Sequence, residues 1–353
     1  MRHLLSLMLC CVAPAMAQEY KLAIVGLVHS HVWGHLQKVL KGSPAKLVGI
    51  AEPNAELAGE ARKMGADPSI FFDDYRKMLN QVKPDIVWAF VENNRHLEIV
   101  QACAPRKINV IFEKPLASSY KDALAIRKLA RDSGIQVLTN YQMVWWPANY
   151  AAKAAADAGE IGNVNRLHGI VGHGGPGSEG VRSKYFFAWL TDPVKNGAGA
   201  LVDFGCYNAL WSLWYLGEPE TVYATVNHQR PERFPKVEDN SVMVLTYPKA
   251  VGIFEGSWDL PRSFQDLEVF GLGGSLYMRN GSVEERKGRQ PAKEITLDPL
   301  PPDRADPLAY MVSRLRAGKP LEGLVALDIN VGVIRIIEAA KESIASGRAA
   351  RLP

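Results

Sequence analysis

The chain has 353 residues, of which 47% are hydrophobic and 22% are charged. It is therefore long enough for two domains with their own cores, and too apolar for a disordered or fibrous chain. Its 41 basic and 37 acidic residues give a net charge of +4 and are spread without long runs of one sign, so no nucleic-acid footprint is present. We expect small-molecule chemistry and no nucleic-acid partner.

The first 17 residues have the pattern of a secretory signal peptide. Arg2 and His3 precede an apolar run over residues 4–13, and a small-x-small tripeptide ends at Ala17. The run is short for a bilayer span, and the rest of the chain has no stretch of about 18 consecutive apolar residues. We predict cleavage after Ala17, export to the periplasm or cell exterior, and no membrane attachment afterwards. The alternatives are a cytoplasmic amphipathic N-terminus and an uncleaved anchor.

From residue 20 the chain alternates buried strand patterns with amphipathic helix patterns. The strand patterns lie at 20–26, 46–51, 85–90, 108–112 and 135–139. The helix patterns lie near 32–40, 55–65, 73–81, 95–104 and 119–132. Nearly continuous apolar strands separated by amphipathic helices favour a parallel, doubly wound sheet. We therefore predict an α/β Rossmann domain over residues 18–141.

After residue 141 the pattern becomes that of an α+β domain, which we predict over residues 142–353. A helix pattern at 147–158 and a strand pattern at 164–171 lead to the loop 172–177, which is so rich in glycine that we expect it to be mobile and unpacked. The segment 221–278 has about four alternating strand patterns, which favour an open, mostly antiparallel sheet. Two helix patterns follow, near 304–317 and 327–346. We expect the outer face of the sheet to pack against a second subunit through Trp258, Phe264, Phe270 and Tyr277.

The turn after the first strand indicates a dinucleotide site in altered form. Such turns usually contain three glycines, because the backbone must approach a pyrophosphate at a helix N-terminus, and here Gly26 is the one retained. Glu52 follows the second strand and is the acid expected on the adenosine ribose hydroxyls. Because a carboxylate repels a 2′-phosphate, NAD is favoured over NADP. We expect the turn to contact the cofactor through Gly26, Val28, His29, Ser30 and His31.

Three histidines in this turn and helix also suggest a metal site. His31 and His35 share a helix face, and His29 lies two residues earlier. No carboxylate or thiolate lies close enough in sequence to complete a ligand set, so we expect no metal. Cys103 and Cys206 remain after signal removal, and two distant cysteines support neither a disulfide framework nor a zinc site.

The tripeptide Glu113-Lys114-Pro115 follows the fourth strand pattern. It places the Lys114 ammonium at the rim of the sheet, where open α/β sheets bind ligands. Lys114 is suited to donate to a substrate hydroxyl or to share in its proton transfer. The simpler alternative is an ion pair between Lys114 and Glu113.

A second candidate cluster lies at residues 197–208. Asp203 and Tyr207 are four residues apart, which places both on one face of a predicted helix. A phenol acts as a general acid or base when a nearby ammonium lowers its pKa, and Lys114 is a candidate for that ammonium. The alternative is a capping aspartate beside a half-buried tyrosine.

Together these motifs make the chain resemble the Gfo/Idh/MocA family, that of glucose-fructose oxidoreductase, inositol dehydrogenase and rhizopine-catabolism proteins. Tyrosine at position 207 resembles the glucose-fructose oxidoreductase variant, since the commonest motif has histidine there. The resemblance covers the chain after the signal peptide and rests on Gly26, Glu52, Val91-Glu92-Asn93-Asn94-Arg95-His96, Glu113-Lys114-Pro115, Ala158-Gly159-Glu160-Ile161-Gly162 and Asp203-x-Gly205-x-Tyr207.

The resemblance implies a Rossmann domain and an open sheet that forms both the substrate wall and the interface of a dimer or tetramer. It also implies sugar, cyclitol or polyol chemistry on a nicotinamide cofactor, with Lys114, Asp203 and Tyr207 as catalytic residues. The resemblance implies further contacts to the cofactor, in addition to those of the first turn, from Glu92, Asn93, His96, Glu113 and Lys114. The implied substrate contacts are Lys114, Trp145, His173, Asp203 and Tyr207.

The reaction we expect is hydride transfer at a secondary alcohol carbon of a saccharide. Tyr207 would move the hydroxyl proton, Lys114 would polarise the oxygen, and Asp203 would orient the substrate or the lysine. One alternative is a redox-assisted enzyme that oxidises a sugar so that elimination breaks a glycosidic bond and leaves NAD unchanged. Another is a non-catalytic exported saccharide-binding protein. Because free NAD should be scarce outside the cytoplasm, we expect the cofactor to be tightly bound.

Overall fold

The computed structural model describes residues 19–279 and 281–353, so the predicted signal peptide lies outside the described residues. Strands and helices alternate in the first part of the chain. Its elements are β1 (Tyr20–Val25), α1 (Val32–Lys41), β2 (Ala45–Ala51), α2 (Ala55–Lys63), β3 (Phe71–Phe72), α3 (Tyr75–Val82), β4 (Ile86–Ala89), α4 (His96–Cys103), β5 (Asn109–Glu113), α5 (Tyr120–Ser133) and β6 (Val137–Asn140).

These six strands form one parallel sheet in the order β3-β2-β1-β4-β5-β6. The order reverses between β1 and β4, and a sheet of this kind binds ligands in the crevice at that point, outside the carboxyl ends of the strands. All residues of β4 and β6 are buried, as expected for parallel strands covered by helices on both faces. The predicted Rossmann architecture is confirmed.

The second part of the chain builds a larger sheet and the helices that cover it. Its elements are α6 (Pro147–Asp157), β7 (Val164–Gly172), α7 (Val181–Leu190), α8 (Ala200–Asp203), α9 (Gly205–Leu216), β8 (Thr221–Asn227), β9 (Asn240–Tyr247), β10 (Ala250–Ser257), β11 (Phe264–Gly271), β12 (Gly274–Arg279), β13 (Ser282–Arg286), β14 (Lys293–Glu294), α10 (Pro307–Arg316), α11 (Leu327–Ser346) and β15 (Ala350–Arg351).

The nine strands of this sheet run in the order β14-β13-β12-β11-β7-β10-β9-β8-β15. Every neighbouring pair is antiparallel except β7 and β10, which are parallel. The predicted open, mostly antiparallel sheet is therefore confirmed. The long helix α11 packs against β8 and α9 of this part and also against α5 of the Rossmann part. No helix within the described ranges is long and apolar enough to cross a bilayer.

The prediction that Trp258 lies on the outer face of the sheet is wrong. Trp258 directly follows β10 and is 0% exposed, whereas Phe264, Phe270 and Tyr277 are partly exposed. Its main-chain N–H donates to the Asp239 carbonyl at 2.7 Å, which fixes the turn inward after the strand ends. The indole is therefore part of the interior that faces the Rossmann part.

The glycine-rich loop 172–177 is packed in part, contrary to our expectation of an unpacked loop, because Gly172 and Pro176 are buried whereas Gly174 and Gly177 are exposed. The Gly174 carbonyl accepts a hydrogen bond from the Arg230 guanidinium at 3.2 Å, and the Pro176 carbonyl accepts one from Arg233 at 2.6 Å. Carbonyls that lack a strand partner are satisfied here by arginine side chains, which compensates for the absence of apolar side chains in the loop.

Candidate active site

Side chains from both parts of the chain line a cavity of about 530 Å³ beside the carboxyl end of β5. Lys114 directly follows β5, and Asp203 and Tyr207 come from the ends of α8 and α9 that face it. His29 comes from the turn after β1 and His173 from the loop after β7. Residues that are far apart in the sequence therefore share one wall.

Lys114 pairs with Asp203, so the alternative of an ion pair with Glu113 is wrong. Its ammonium contacts the Asp203 carboxylate and donates to the Asp203 main-chain oxygen at 2.8 Å. Both side chains are only 7% exposed. The other carboxylate oxygen accepts a hydrogen bond from the Trp258 indole N–H at 2.7 Å. Trp258 is thus a positioning residue that the sequence analysis missed.

The pair remains ionised around neutral pH. Burial by itself lowers the pKa of Lys114, but the Asp203 carboxylate outweighs burial and raises that pKa. Burial by itself raises the pKa of Asp203, but the Lys114 ammonium and the Trp258 N–H hold it below its ordinary value. Lys114 therefore acts as a charged hydrogen-bond donor and not as a neutral amine base.

The expectation that Lys114 lowers the pKa of Tyr207 is wrong in its net effect. The Lys114 ammonium lies 5.2 Å from the centre of the Tyr207 ring. Burial nevertheless raises the pKa of Tyr207 above its ordinary value, and this exceeds the opposite effect of Lys114. Burial is the largest of these effects, and the Asp203 carboxylate also opposes the lysine charge. Tyr207 is a neutral phenol around neutral pH and is able to donate a proton.

We predicted that Asp203 and Tyr207 share one continuous helix, and this prediction is wrong. The helix α8 ends at Asp203 and α9 begins at Gly205, with Phe204 between them. The Tyr207 main-chain N–H donates to the Phe204 carbonyl at 3.1 Å instead of to that of Asp203. The break therefore frees the Asp203 carbonyl for the Lys114 ammonium.

His173 supplies another polar group to the cavity wall. Its Nδ1 accepts a hydrogen bond from the Gly175 main-chain N–H at 2.9 Å, so the neutral ring carries its proton on Nε2. Burial lowers the pKa of His173, which keeps the ring neutral around pH 7. The His173 main-chain N–H donates to the Ser257 carbonyl at 3.1 Å, so His173 has a fixed support.

A second cavity of about 300 Å³ lies on the other side of the first turn. It is lined by Gly26, Val28, Glu52 and Glu92, among others, while His29 lines the cavity around Lys114. Gly26 has φ +77°, and a Cβ there would lie 2.7 Å from a Val91 side-chain carbon, so the turn requires glycine. A turn that lies between two cavities and has no side chain at Gly26 fits an extended dinucleotide.

Glu52 is fixed at the edge of that cavity. Its carboxylate oxygens accept hydrogen bonds from the main-chain N–H groups of Leu27 and Asn54, each at 2.7 Å. Burial raises the pKa of Glu52, and the two N–H groups oppose that increase. Glu52 therefore stabilises the first turn and also presents an acidic edge where the ribose of a dinucleotide would lie.

Four residues of the predicted site line neither cavity, and one of them, Glu113, is 2% exposed and contacts His31. His96 is 1% exposed and stacks on Phe112 with ring centres 4.1 Å apart, and Asn93 donates to the Asn196 side chain at 2.8 Å. Trp145 lines a neighbouring cavity of about 490 Å³. Their side chains are used in packing, which a motif alone does not reveal.

Helix α7, which belongs to the second part of the chain, covers the first turn. The sequence analysis did not predict this helix. The Trp189 indole N–H donates to the Val28 carbonyl at 3.2 Å. The Arg182 guanidinium donates to Glu60 on α2 at 3.0 Å, and the Tyr185 hydroxyl donates to Glu56 on α2 at 2.8 Å. The turn is therefore tied to α7 on its outer side.

Models of one protein family match most of the chain. The model described as the oxidoreductase family with an NAD-binding Rossmann fold matches residues 20–141, and the Gfo/Idh/MocA C-terminal domain model matches residues 150–277. The chain belongs to the Gfo/Idh/MocA family.

Three relatives with curated names are dehydrogenases. D-xylose 1-dehydrogenase (NADP(+)) 2 of Haloferax volcanii is 28% identical over 54% of this chain and 56% of its own length. Levoglucosan dehydrogenase of Pseudarthrobacter phenanthrenivorans is 27% identical over 59% of this chain and 53% of its own length. The chain thus spans about half the length of these two relatives. The scyllo-inositol 2-dehydrogenase (NAD(+)) of Bacillus subtilis is 22% identical over 74% of this chain and 75% of its own length.

Solved structures share the complete fold. Aldose-aldose oxidoreductase from Caulobacter crescentus, complexed with glycerol, has a TM-score of 0.81 at 20% identity and covers 95% of this chain and 100% of its own. Levoglucosan dehydrogenase in complex with NADH and levoglucosan has a TM-score of 0.79 at 21% identity, with coverage of 95% and 100%. At these identities the similarity establishes the common fold.

The buried His96 makes the stability of the protein depend on pH. Burial lowers the pKa of His96 to about 4, whereas an unfolded histidine has a pKa of about 6.5. The folded chain therefore binds fewer protons than the unfolded chain between these values, so the free energy of unfolding falls as the pH falls through this range. We expect His96 to account for a loss of about 2 kcal/mol at pH 5.

Urea unfolding of wild type and His96→Gln at pH 7 and pH 5 measures this contribution. The variant should lose less stability on acidification than wild type, by about 2 kcal/mol. His168→Gln is the matched control, because His168 is 41% exposed, and it should retain the wild-type pH dependence. Equal pH dependence in wild type and His96→Gln would contradict the assignment.

Proposed function

We propose that the protein is an exported NAD-dependent oxidoreductase that transfers hydride at a secondary alcohol of a sugar, cyclitol or sugar derivative. The observation that carries this proposal is the buried Lys114–Asp203 pair on the wall of a large cavity that adjoins a dinucleotide-type turn. The names of relatives that act on D-xylose, levoglucosan and scyllo-inositol support the substrate class. The N-terminal pattern that ends at Ala17 supports export.

The lining of the cavity suits a polyol. Polar side chains of Ser30, Gln142, Ser183 and Gln265 face a substrate from several directions, and they both donate and accept hydrogen bonds. Apolar side chains from α7 and from the break after α8 also line the cavity. A saccharide has hydroxyl groups around its ring and apolar C–H faces, so it matches such a mixed lining.

The residues around the first turn would hold NAD. Gly26 and Val28 would lie against the pyrophosphate, and Glu52 would accept hydrogen bonds from the ribose hydroxyls and repel a 2′-phosphate. When bound, the nicotinamide supplies the hydride acceptor or donor. The His29-Ser30-His31 segment would contact the nicotinamide end, because it lines the same cavity as Lys114.

Lys114 and Tyr207 would perform the proton chemistry. The Lys114 ammonium would donate to the reacting oxygen and stabilise negative charge that develops on it. Tyr207 would give its proton to that oxygen when a carbonyl is reduced. In the oxidative direction the phenol must first lose its proton, so oxidation should be faster at higher pH. Asp203, fixed by Trp258, would position the lysine.

We also propose tight retention of the cofactor. A chain that crosses the membrane unfolded must acquire NAD outside the cytoplasm, and an enzyme that released NADH there would stall. Reoxidation on the enzyme, by a second sugar-like substrate or within one catalytic cycle, removes this difficulty. The contacts between α7 and the first turn support retention, because a dinucleotide that joins the two cavities passes the turn that α7 covers. Assembly into a homo-oligomer through the partly exposed outer face of the nine-stranded sheet is part of the same proposal.

Two variants separate the catalytic role of Lys114 from its structural role. Lys114→Met alone leaves the buried Asp203 carboxylate without a charged partner, so it should destabilise the fold by about 3–5 kcal/mol. The double variant Lys114→Met/Asp203→Asn removes both charges and should recover much of that stability. Sugar-dependent change in the reduced-nicotinamide absorbance should be lost in both variants. Recovered turnover in the stable double variant would show that Lys114 has no catalytic role.

Tyr207→Phe tests the proton-transfer residue. Removal of the phenolic oxygen should lower turnover by about a hundredfold to ten-thousandfold. In wild type the rate of sugar oxidation should rise with pH, because the phenol has a raised pKa and only its deprotonated form accepts the proton. Tyr223→Phe is the control, since Tyr223 is 44% exposed on the sheet. A change under about threefold in Tyr207→Phe would direct attention to His173.

Cofactor retention is measured by denaturing protein from the periplasmic fraction after extensive dialysis and quantifying released nicotinamide by mass spectrometry. Wild type should release about one nicotinamide per chain. Arg182→Ala should lose cofactor about two- to fivefold faster, as expected for one exposed ion pair. Arg131→Ala, which removes the exposed pair with Asp328, should not. Cytoplasmic recovery with freely exchanging NAD would overturn the proposal.

A further inference from the structure

The neighbouring cavity of about 490 Å³ adjoins the cavity around Lys114, and no step of the proposed reaction uses it. Its walls come from α1, from the segment after β6 and from the segment 305–307 at the start of α10. His31 and Gln142 line both cavities, so the two spaces meet at these side chains. We call it the tryptophan cavity, and its lining includes His31, Lys38, Gln142, Trp145, Trp146 and Asp306.

The tryptophan cavity is not on the path of a dinucleotide. Among the described residues, none lines both this cavity and the cavity beside Glu52. A dinucleotide would extend from the Glu52 cavity, past the first turn, to the cavity around Lys114. The tryptophan cavity is therefore left for a part of the substrate that extends past the reacting ring. Its volume of about 490 Å³ lies within the range of small-molecule sites.

Two indole rings supply the apolar surface of this cavity. Trp145 and Trp146 are both partly exposed. The Trp145 indole N–H donates to the Asn140 side-chain oxygen at 2.7 Å, and its ring meets the Tyr310 ring edge-on, with ring centres 6.2 Å apart. The Trp145 ring is therefore held in place without a ligand. A fixed aromatic ring offers a large apolar surface at a small cost in conformational entropy, which suits the C–H face of a sugar ring.

The polar groups of the tryptophan cavity suit neutral hydroxyl groups. Lys38 is an exposed hydrogen-bond donor on α1. One Asp306 carboxylate oxygen accepts a hydrogen bond from the Ala309 main-chain N–H at 2.9 Å and so caps α10, and a carboxylate has the capacity to accept several more. A cation and an anion together provide both donors and acceptors. They favour neither a strongly acidic nor a strongly basic ligand.

The junction between the two cavities is polar. The Gln142 side chain is exposed, and its oxygen lies 3.4 Å from the side-chain nitrogen of Gln265 on β11. The His31 side chain is 40% exposed at the same junction. Amide and imidazole groups both donate and accept hydrogen bonds. They match the glycosidic oxygen and the adjacent hydroxyl groups of two linked sugar rings.

We propose that the tryptophan cavity is a second sugar subsite and that the substrate is a neutral disaccharide. The ring that reacts lies in the cavity around Lys114, and the second ring lies against the indole rings of the tryptophan cavity. This inference rests on the proposed function, because it takes the ring beside Lys114 as the one that is oxidised. It narrows the substrate class from sugars and cyclitols in general to two linked rings.

The exported protein as purified is titrated by calorimetry with D-glucose, D-galactose and D-xylose, and with maltose, cellobiose, lactose, melibiose and xylobiose. At least one disaccharide should bind about tenfold or more tightly than either of its component monosaccharides. Trp146→Ala should weaken binding of that disaccharide by about tenfold and leave the affinity for monosaccharides within about twofold of wild type. The reason is that Trp146 lines the tryptophan cavity and not the cavity around Lys114.

A second pair of variants is independent of core packing. Lys38→Ala should weaken disaccharide binding by about three- to tenfold, as expected for the loss of one hydrogen bond to the second ring. Lys41→Ala is the matched control, because Lys41 is also exposed on α1 but lines neither cavity. The control should bind disaccharides as wild type does. Circular dichroism checks that each variant is folded, and the Lys38 pair decides the test if Trp146→Ala is unfolded.

The second subsite is refuted if no disaccharide binds more tightly than its component monosaccharides, or if Trp146→Ala weakens monosaccharides and disaccharides equally. Reduced-nicotinamide absorbance, recorded in parallel, tests the proposed function separately. Disaccharide binding that depends on Trp146 without nicotinamide reduction would support the subsite and refute the proposed function. Nicotinamide reduction by monosaccharides without any preference for disaccharides would support the proposed function and refute the subsite.

Discussion

The structure of the site depends on one buried ion pair. Lys114 comes from the Rossmann sheet and Asp203 from the break before α9, so each part of the chain contributes one charge. Two buried charges are tolerated only when each is paired and hydrogen-bonded, and here Trp258 and the Asp203 carbonyl complete the set. The cavity therefore exists in its observed form only when the two parts are docked.

The same pair sets the protonation of its neighbours. A lone ammonium beside Tyr207 would favour the phenolate, but the Lys114–Asp203 pair has no net charge, and burial then dominates. His173 is neutral for the same reason. The site is thus a collection of proton donors around a fixed ammonium. In such an arrangement the Lys114 ammonium is placed to stabilise an oxyanion, and the Tyr207 phenol is placed to protonate it.

The first turn shows how a glycine-poor dinucleotide motif is stabilised by residues outside the motif. Gly26 remains where a side chain would collide with Val91. The other positions of the turn are held from outside, by Glu52 on the inner side and by Trp189 of α7 on the outer side. Hydrogen bonds from neighbouring elements therefore stabilise a turn that has few glycines.

The sequence by itself determined the order of most strands and helices, the type of both sheets, the family resemblance and the position of Lys114 at the rim, because apolar periodicity and turn residues report local structure. The partner of Lys114 lies 89 residues away and the carboxylate beside His31 lies 82 residues away, so only the tertiary structure decided them. The inward turn of Trp258, the helix break at Phe204 and the net pKa of Tyr207 were decided in the same way. Burial and long-range pairing depend on which elements pack together, and a local pattern contains no information about that choice.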